Sequence, residues 1–316
     1  MAASAYDGDM STNTSPEPST EKWTAADLPS FAGRTVIVTG ATSGLGLVTA
    51  RELARVGARV VLAVRDVAKG EEIALELGGG AEAREVDLGS LASIRAFAEA
   101  WSGDIDVLVN NAGIMNVPQA VTVDGFERHL GVDHLGPFAF TNLLLPHITD
   151  RVVTVSSNLH RSGTIVLDDL MWERRNYKRM AAYGQAKLAN LLFSLDLQRR
   201  LDEAGSPVRS FTSHPGYAAT NLQSRTENPV VNFLGRIGNT VLAQSAEAGA
   251  LPSLFVASQD LPGGSYAGPD GRGEYRGNPT LVGRSAEASD AELATALWDA
   301  SEKLTGVSFP AAKLRR

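Results

Sequence analysis

Tyr183 and Lys187 stand four residues apart in a stretch, Ala182 to Glu203, whose spacing predicts a helix, so the two share a face. A phenol titrates near 10 and is a poor acid–base catalyst at neutral pH. An ammonium within a few ångströms favours the phenolate and lowers that value. Tyr183 tuned in this way can give a proton to a carbonyl oxygen or take one from an alcohol. Tyr-x-x-x-Lys pairs also occur on plain solvated helix faces, so this one gains meaning from its company. Ser156 and Ser157 close a predicted strand, Arg151–Ser157. Ligands of open α/β sheets bind outside the carboxyl ends of the strands. A hydroxyl there can hydrogen-bond the oxygen on which charge develops. Ser156 reads better as a cap of the following loop, which leaves Ser157 as the candidate.

The second piece of chemistry is a nucleotide cradle. Gly40, Gly44 and Gly46 lie between a β-branched run, Thr35–Thr39, and a helical stretch, Leu47–Ala58. Glycine serves a tight turn and lets phosphate approach the backbone, while the following helix offers free N–H groups and the positive end of its dipole. The spacing is G-x-x-x-G-x-G, and a glycine pattern is informative only in this strand–turn–helix setting. The second strand, Ala58–Val64, runs into Arg65 and Asp66. An acid at this point accepts from an adenosine ribose 2′-hydroxyl, whereas a guanidinium suits a 2′-phosphate. Arg65 comes first, which favours NADP(H). NAD(H), read through Asp66, is the alternative.

Composition removes several other chemistries. The chain has 316 residues, no cysteine, and 36 acidic against 29 basic residues, a formal charge of −7. Cysteine nucleophiles, disulfides and Cys-based metal sites are excluded, and a cysteine-free chain suits a reducing, cytoplasmic setting. The acidic balance argues against nucleic acid as a partner. The five histidines show no ligand pattern, so no metal is expected. There is no G-x-S-x-G elbow for a serine hydrolase. No apolar run is long enough to predict an integral membrane segment.

These groups need a scaffold. Further strands are predicted within Glu76–Leu88 and at Asp106–Gly113 and Val208–Gly216, with a late strand at SYAG. Helices are predicted at Ser90–Trp101, about Thr122 to Leu145 stopping at Pro146, and Asp290–Leu304. Strands alternating with helices imply one α/β domain: a doubly wound Rossmann-type parallel sheet of about seven strands, helices on both faces. Residues 1–30 read as a disordered acidic tail without the features of a secretory leader, residues 31–310 as the catalytic domain, and 311–316 as a basic tail.

Taken in order, TGATSGLG, NNAG, the serine after strand five, YGQAK and HPGYAAT resemble a short-chain dehydrogenase/reductase, over about residues 33–309. IDVLVNNAGIM, DGFERHLGVDHLGPF, RVVTVSSNLHRSG and LWDASEKLTGV look closest to its retinol-dehydrogenase and protochlorophyllide-reductase-like branch, as does the insert DDLMWERRNYKRM between Ser157 and Tyr183. The photochemical reading is less attractive, because pigment reducers of that branch use a cysteine. The resemblance implies hydride transfer between NADP(H) and a carbonyl or alcohol. Tyr183 would be the acid/base, Lys187 would tune it and hold the nicotinamide ribose, and Ser157 would orient the substrate oxygen. Gly40, Ser43, Gly44, Leu45 and Gly46 would cradle the pyrophosphate. Asp87 and Leu88 would flank the adenine, and Asn111, Ala112 and Gly113 the adenosine ribose. Pro215, Gly216 and Thr220 would close over the nicotinamide.

One departure stands out. Where the family usually has Asn in G-V-N-H-L-G, supporting a proton relay from the lysine, this chain has Asp133. Aspartate accepts hydrogen bonds but cannot donate them, and it adds a charge. Asp133 is therefore a candidate member of an altered relay, or a brace of its helix. Substrate choice is expected near Leu159–Tyr177 and in a loop at about 217–245, where Leu222, Val230, Val231, Phe233, Leu234 and Ile237 would form an apolar wall. A small, apolar ketone, aldehyde or alcohol is the expected partner. Leu188, Leu191, Leu192 and Leu195 can serve a homodimer or face the sheet. A non-enzymatic NADP sensor or scaffold on the same fold is the rival reading, opposed by the intact Ser157, Tyr183 and Lys187.

Overall fold

The computed structural model describes residues 22–217 and 244–314. Eight strands form one sheet in the order β3-β2-β1-β4-β5-β6-β7-β8. They are β1 (Thr35–Thr39), β2 (Arg59–Val64), β3 (Glu82–Glu85), β4 (Ile105–Asn110), β5 (Ile148–Val155), β6 (Arg209–Ser213), β7 (Tyr266–Pro269) and β8 (Pro279–Leu281). The first seven run parallel and β8 is antiparallel to β7. The expected parallel sheet is present, with an antiparallel edge strand added. The strand order reverses between β1 and β4, and this switch point is where a doubly wound sheet opens a crevice.

The central strands are near-continuous apolar runs because both faces are covered. Ile37 of β1 enters one core layer while Val36 and Val38 enter the other. Helices α1 (Gly44–Arg55) and α2 (Val67–Leu77) cover one face, joined by α7 (Ala246–Ser258). The other face carries α3 (Leu91–Glu99), α5 (Gly136–Leu144) and the inner side of α6 (Arg179–Glu203). The outer side of α6 is also buried: Leu188, Leu191 and Leu192 are fully covered and pack with Ala294 and Leu297 of α8 (Ala291–Thr305). The leucine face weighed for a homodimer is therefore occupied by the chain's own penultimate helix. Among the described residues, no helix is long and apolar enough to cross a membrane.

Three boundaries differ from expectation. The acidic tail does not reach residue 30: Thr24 and Asp27 form a capping box, Leu28 is buried, and Trp23 meets Phe255 edge-on at 5.4 Å. At the other end Ala311–Leu314 (α9) is helical and Leu314 alone of its residues is buried, joining the core, so 311–314 is anchored structure and not a free tail. The helix expected from Thr122 begins only at α4 (Arg128–Leu130), because Thr122 N–H pairs with Phe126 C=O in a tight turn and the Glu127 carboxylate caps His129 and Leu130. Between α4 and α5, Gly131–Leu135 is wound as a π-turn, with Gly136 N–H donating to Gly131 C=O. Such single π-turns cluster at functional sites, and this one carries Asp133.

Candidate active site

The cradle forms where β1 hands over to α1. Ser43 precedes the helix without capping it by its side chain, so the first N–H groups of α1 face outward uncapped. Gly40 and Gly46 are glycine because the β1–α1 turn packs directly on itself and on the Asn111–Ala112 turn. A Cβ on Gly46 would lie 2.5 Å from the Gly40 carbonyl oxygen and 2.4 Å from Asn111 Nδ2. One on Gly40, whose φ is +68°, would lie 2.9 Å from Ala112 Cα. Leu45 sits between these glycines at the helix start. Thr39 sets the neighbouring turn: its hydroxyl accepts from both Asn111 and Ala112 N–H at 2.9 Å, and its carbonyl accepts from Asn111 Nδ2 at 2.9 Å. This supporting role of Thr39 was not read from the sequence, although a hydroxyl on the last residue of β1 was its visible signal.

Arg65 and Asp66 separate cleanly. Asp66 caps α2, accepting from Lys69 N–H at 3.1 Å. Arg65 is exposed and has no partner among the described residues. Asp87 is tied into its own turn by Gly89 N–H at 2.9 Å, and Leu88 is buried against Gly136, where a Cβ would meet the Leu88 oxygen at 2.2 Å. The strand–glycine turn–helix junction, with its helix start uncapped by a side chain, fits a dinucleotide.

Tyr183, Lys187, Ser157 and Asp133 come together beside this cradle. Lys187 Nζ lies 5.4 Å from the centre of the Tyr183 ring and 3.2 Å from Asp133 Oδ2. Asp133 is fully buried and its Oδ1 accepts from Ile114 N–H at 2.8 Å. Gly113 makes room for the ion pair, since a Cβ there would stand 3.2 Å from Lys187 Nζ and 3.3 Å from Asp133 Oδ2. Ser156 donates to the Lys187 carbonyl at 2.7 Å and so ties β5 to α6, as a structural rather than a reacting group. Ser157 caps the next turn, accepting from Leu159 N–H at 3.2 Å, with its hydroxyl within reach of the phenol.

The electrostatics follow from burial and these three charges. Burial pushes the Tyr183 phenol above 10; the Lys187 ammonium pulls it down, Asp133 adds to the rise, and Ser157 assists the phenolate. Burial works to discharge Lys187, but Asp133 and Tyr183 together more than offset it and hold the ammonium above its usual value. For Asp133 itself burial favours the neutral acid, opposed by Lys187 and the Ile114 N–H. Behind Tyr183 stands a group that sequence reading passed over. The His129 ring meets Tyr183 edge-on at 6.1 Å and is held by Glu127 at 3.1 Å and by Tyr177 at 2.9 Å.

At the far side, Gly216 (φ +63°) turns tightly beneath Tyr275, whose oxygen accepts from Tyr217 N–H at 2.7 Å, and the Gln244 amide donates to Pro215 C=O. Gln244 N–H also donates to Tyr217 C=O at 2.9 Å, beside Gly216. Thr220 and the apolar wall expected at 221–241 lie outside the described residues.

A glycine-turn cradle at the switch point of a doubly wound sheet takes a dinucleotide, and a buried phenol and an ammonium share its crevice. The class is that of the Rossmann-type nicotinamide oxidoreductases. A family model described as short chain dehydrogenase matches residues 34–230, and the chain belongs to that family, whose members bind NAD(P)(H). Human retinol dehydrogenase 13 is 40% identical over 298 residues, covering 89% of this chain and 87% of the relative. Mouse polyprenol dehydrogenase is 41% identical over 298 residues, covering 88% and 86%. The crystal structure of an uncharacterised protein from Mycobacterium paratuberculosis is 56% identical, covers 92% of this chain and 100% of its own, and superposes with a TM-score of 0.81.

Proposed function

We propose that this chain transfers hydride between NADP(H) and the carbonyl or alcohol of an apolar small molecule, with Tyr183 as acid/base. The observation that carries the reading is the convergence of Tyr183, Lys187 and Ser157 beside a cradle at whose β2 end Arg65 stands exposed, without a partner among the described residues. When bound, the nicotinamide supplies or accepts the hydride. In the reductive direction the carbonyl carbon gains that hydride and its oxygen takes the phenolic proton of Tyr183. The Ser157 hydroxyl holds the oxygen as charge builds on it, and Lys187 steadies the phenolate left behind. Oxidation of an alcohol runs the same steps in reverse.

The substrate class rests on two supports. Retinol and polyprenol, the substrates in the relatives' names, are lipophilic alcohols. Exposed apolar side chains also ring the site: Leu159 beside Ser157, Met180 one turn before Tyr183, and Tyr217 and Tyr275 at the Gly216 turn. A lipophilic primary alcohol or its aldehyde fits that rim better than a polar sugar or hydroxy acid.

Calorimetric titration with NADPH and with NADH tests the cofactor assignment. NADPH is expected to bind more tightly. Arg65→Ala is expected to weaken NADPH by about tenfold or more, the worth of a charge-assisted contact to phosphate, and to leave NADH unchanged. Equal loss for both cofactors would remove Arg65 as the phosphate reader, and binding of neither would remove the oxidoreductase reading itself.

A further inference from the structure

One carboxylate outside the catalytic group grips both loops that border it. Glu274 lies between β7 and β8. Its Oε2 is 3.0 Å from His214 Nε2 and its Oε1 is 3.2 Å from Arg161 Nη2. Arg161 belongs to the short turn Asn158–Ser162 that leads away from Ser157. The backbone around Glu274 holds the same turn: Asn158 Nδ2 donates to the Gly273 carbonyl at 3.1 Å and to the Glu274 carbonyl at 3.3 Å. Within that turn His160 Nδ1 donates to the Ser157 carbonyl at 2.7 Å.

The other grip reaches the nicotinamide side. His214 is fully buried, and its Nδ1 accepts from Gly216 N–H at 3.2 Å. Accepting there and facing a carboxylate at Nε2, the ring must be the neutral tautomer that donates from Nε2 to Glu274. Burial agrees, pushing the imidazole down to about 3, helped by the nearby His160 and Arg161. β7 makes way for the ring at Gly268, where a Cβ would stand 1.9 Å from His214 Nε2. The next residue after Glu274 completes the clasp, since the Tyr275 carbonyl accepts from Tyr217 N–H at 2.7 Å.

Glu274 reaches these partners from an unfavourable backbone. Its φ is +57°, directly after Gly273 at +66°. The left-handed region is costly for a residue with a Cβ and points to a local demand that outweighs the cost. An exposed ion pair would not supply that demand, being worth little. The bond to a buried, neutral histidine does, because loss of it leaves the ring's N–H without an acceptor.

We propose that Glu274 is a positioning residue: by joining Arg161 and His214 it fixes the gap between the Ser157 turn and the Pro215–Gly216 turn, and so the opening that must admit substrate oxygen and nicotinamide together. The proposal rests on the oxidoreductase reading for its catalytic consequence, but its mechanical part can be measured without turnover. Hydrogen exchange of the full chain without cofactor is the first readout, on Glu274→Ala and Glu274→Gln. Glu274→Ala should speed exchange in residues 157–163 and 214–217 together and leave β1 and β4 unchanged. Its kcat should fall about tenfold or more, as expected of sub-ångström misplacement, and NADPH binding should weaken with it. Glu274→Gln can still accept from His214 and should restore most of the exchange protection at 214–217 but not at 157–163. Loosening confined to 271–277, or a loss of kcat with both turns still protected, would overturn the proposal. If the alanine variant does not fold, the split between the two segments in Glu274→Gln decides it, and equal protection of both overturns it. A wild-type chain with no turnover would sink the oxidoreductase reading while leaving the exchange result to judge the clasp.

Discussion

Tyr183→Phe should lower kcat by about a thousandfold, the worth of a well-placed general acid, while NADPH binds within about twofold of wild type. The two halves of the expectation come from different parts of the crevice. The phenol oxygen is the group with a proton to give, and Lys187, although close, is held as an ammonium by Asp133 at 3.2 Å. Phenylalanine keeps the ring that packs against His129 at 6.1 Å, so the helix and its neighbours need not move. The cradle at Gly40–Gly46 and the turn at Asn111–Gly113 are built without the phenol. A variant keeping a tenth or more of wild-type turnover would mean that the proton comes from elsewhere. One that lost NADPH as well would mean that the phenol belongs to the cofactor site rather than to the chemistry. The rival reading, a sensor, predicts no turnover to lose and intact binding in both proteins.

The sheet and the reacting groups were legible because their residues obey local rules. Runs such as TVIVT and RVVTV have one stable fate, a strand covered on both faces, and Tyr183 and Lys187 share a face at any helix register that holds both. What sequence concealed was set by packing. α2 contains Gly70, which normally argues against a helix, yet a Cβ there would stand 2.8 Å from both Ala83 and Val64. α7 is almost uniformly apolar and holds Pro252, so it shows no amphipathic stripe and no start signal beyond Ser245. The Leu188–Leu192 face could not be assigned from α6 alone, because its partner, Leu297, comes more than a hundred residues later. The candidate site was hidden in the same way wherever long-range contacts make it. Glu127 and Glu274 look like surface acids in sequence; one is a buried cap held against His129 and Tyr177, the other a clasp on His214. Asp133 was visible as a departure, but only the fold shows that its carboxylate faces Lys187.

That placement makes Asp133→Asn the sharper test of how the proton is managed. With Asn the ammonium of Lys187 would act on Tyr183 unopposed. In this chain a buried carboxylate 3.2 Å from Nζ cancels much of that charge, and burial keeps the phenol high. The groups facing the phenol are few: Lys187 on its own helix, Asp133 from the π-turn, His129 from α4 and the Ser157 hydroxyl after β5. Only Asp133 among them contributes negative charge. Oxidation of an alcohol needs the phenolate, so the rate rises with pH as Tyr183 ionises. Removing the carboxylate lets the phenol ionise at lower pH, and the rising limb of kcat against pH should move to lower pH by about one to two units. Below both limbs the variant should therefore oxidise alcohol about ten- to a hundredfold faster than wild type, one factor of ten for each unit. Lys187 moves the same way, since burial no longer meets the carboxylate that held the ammonium up. The alkaline decline should then come earlier too, and the whole profile shift to acid. Asparagine can still accept from Ile114 N–H, so the π-turn keeps its anchor and the comparison isolates charge. An unshifted profile would reduce Asp133 to a brace of its turn. A shift to higher pH would mean that the carboxylate helps the phenol lose its proton, with Asp133 as a relay base.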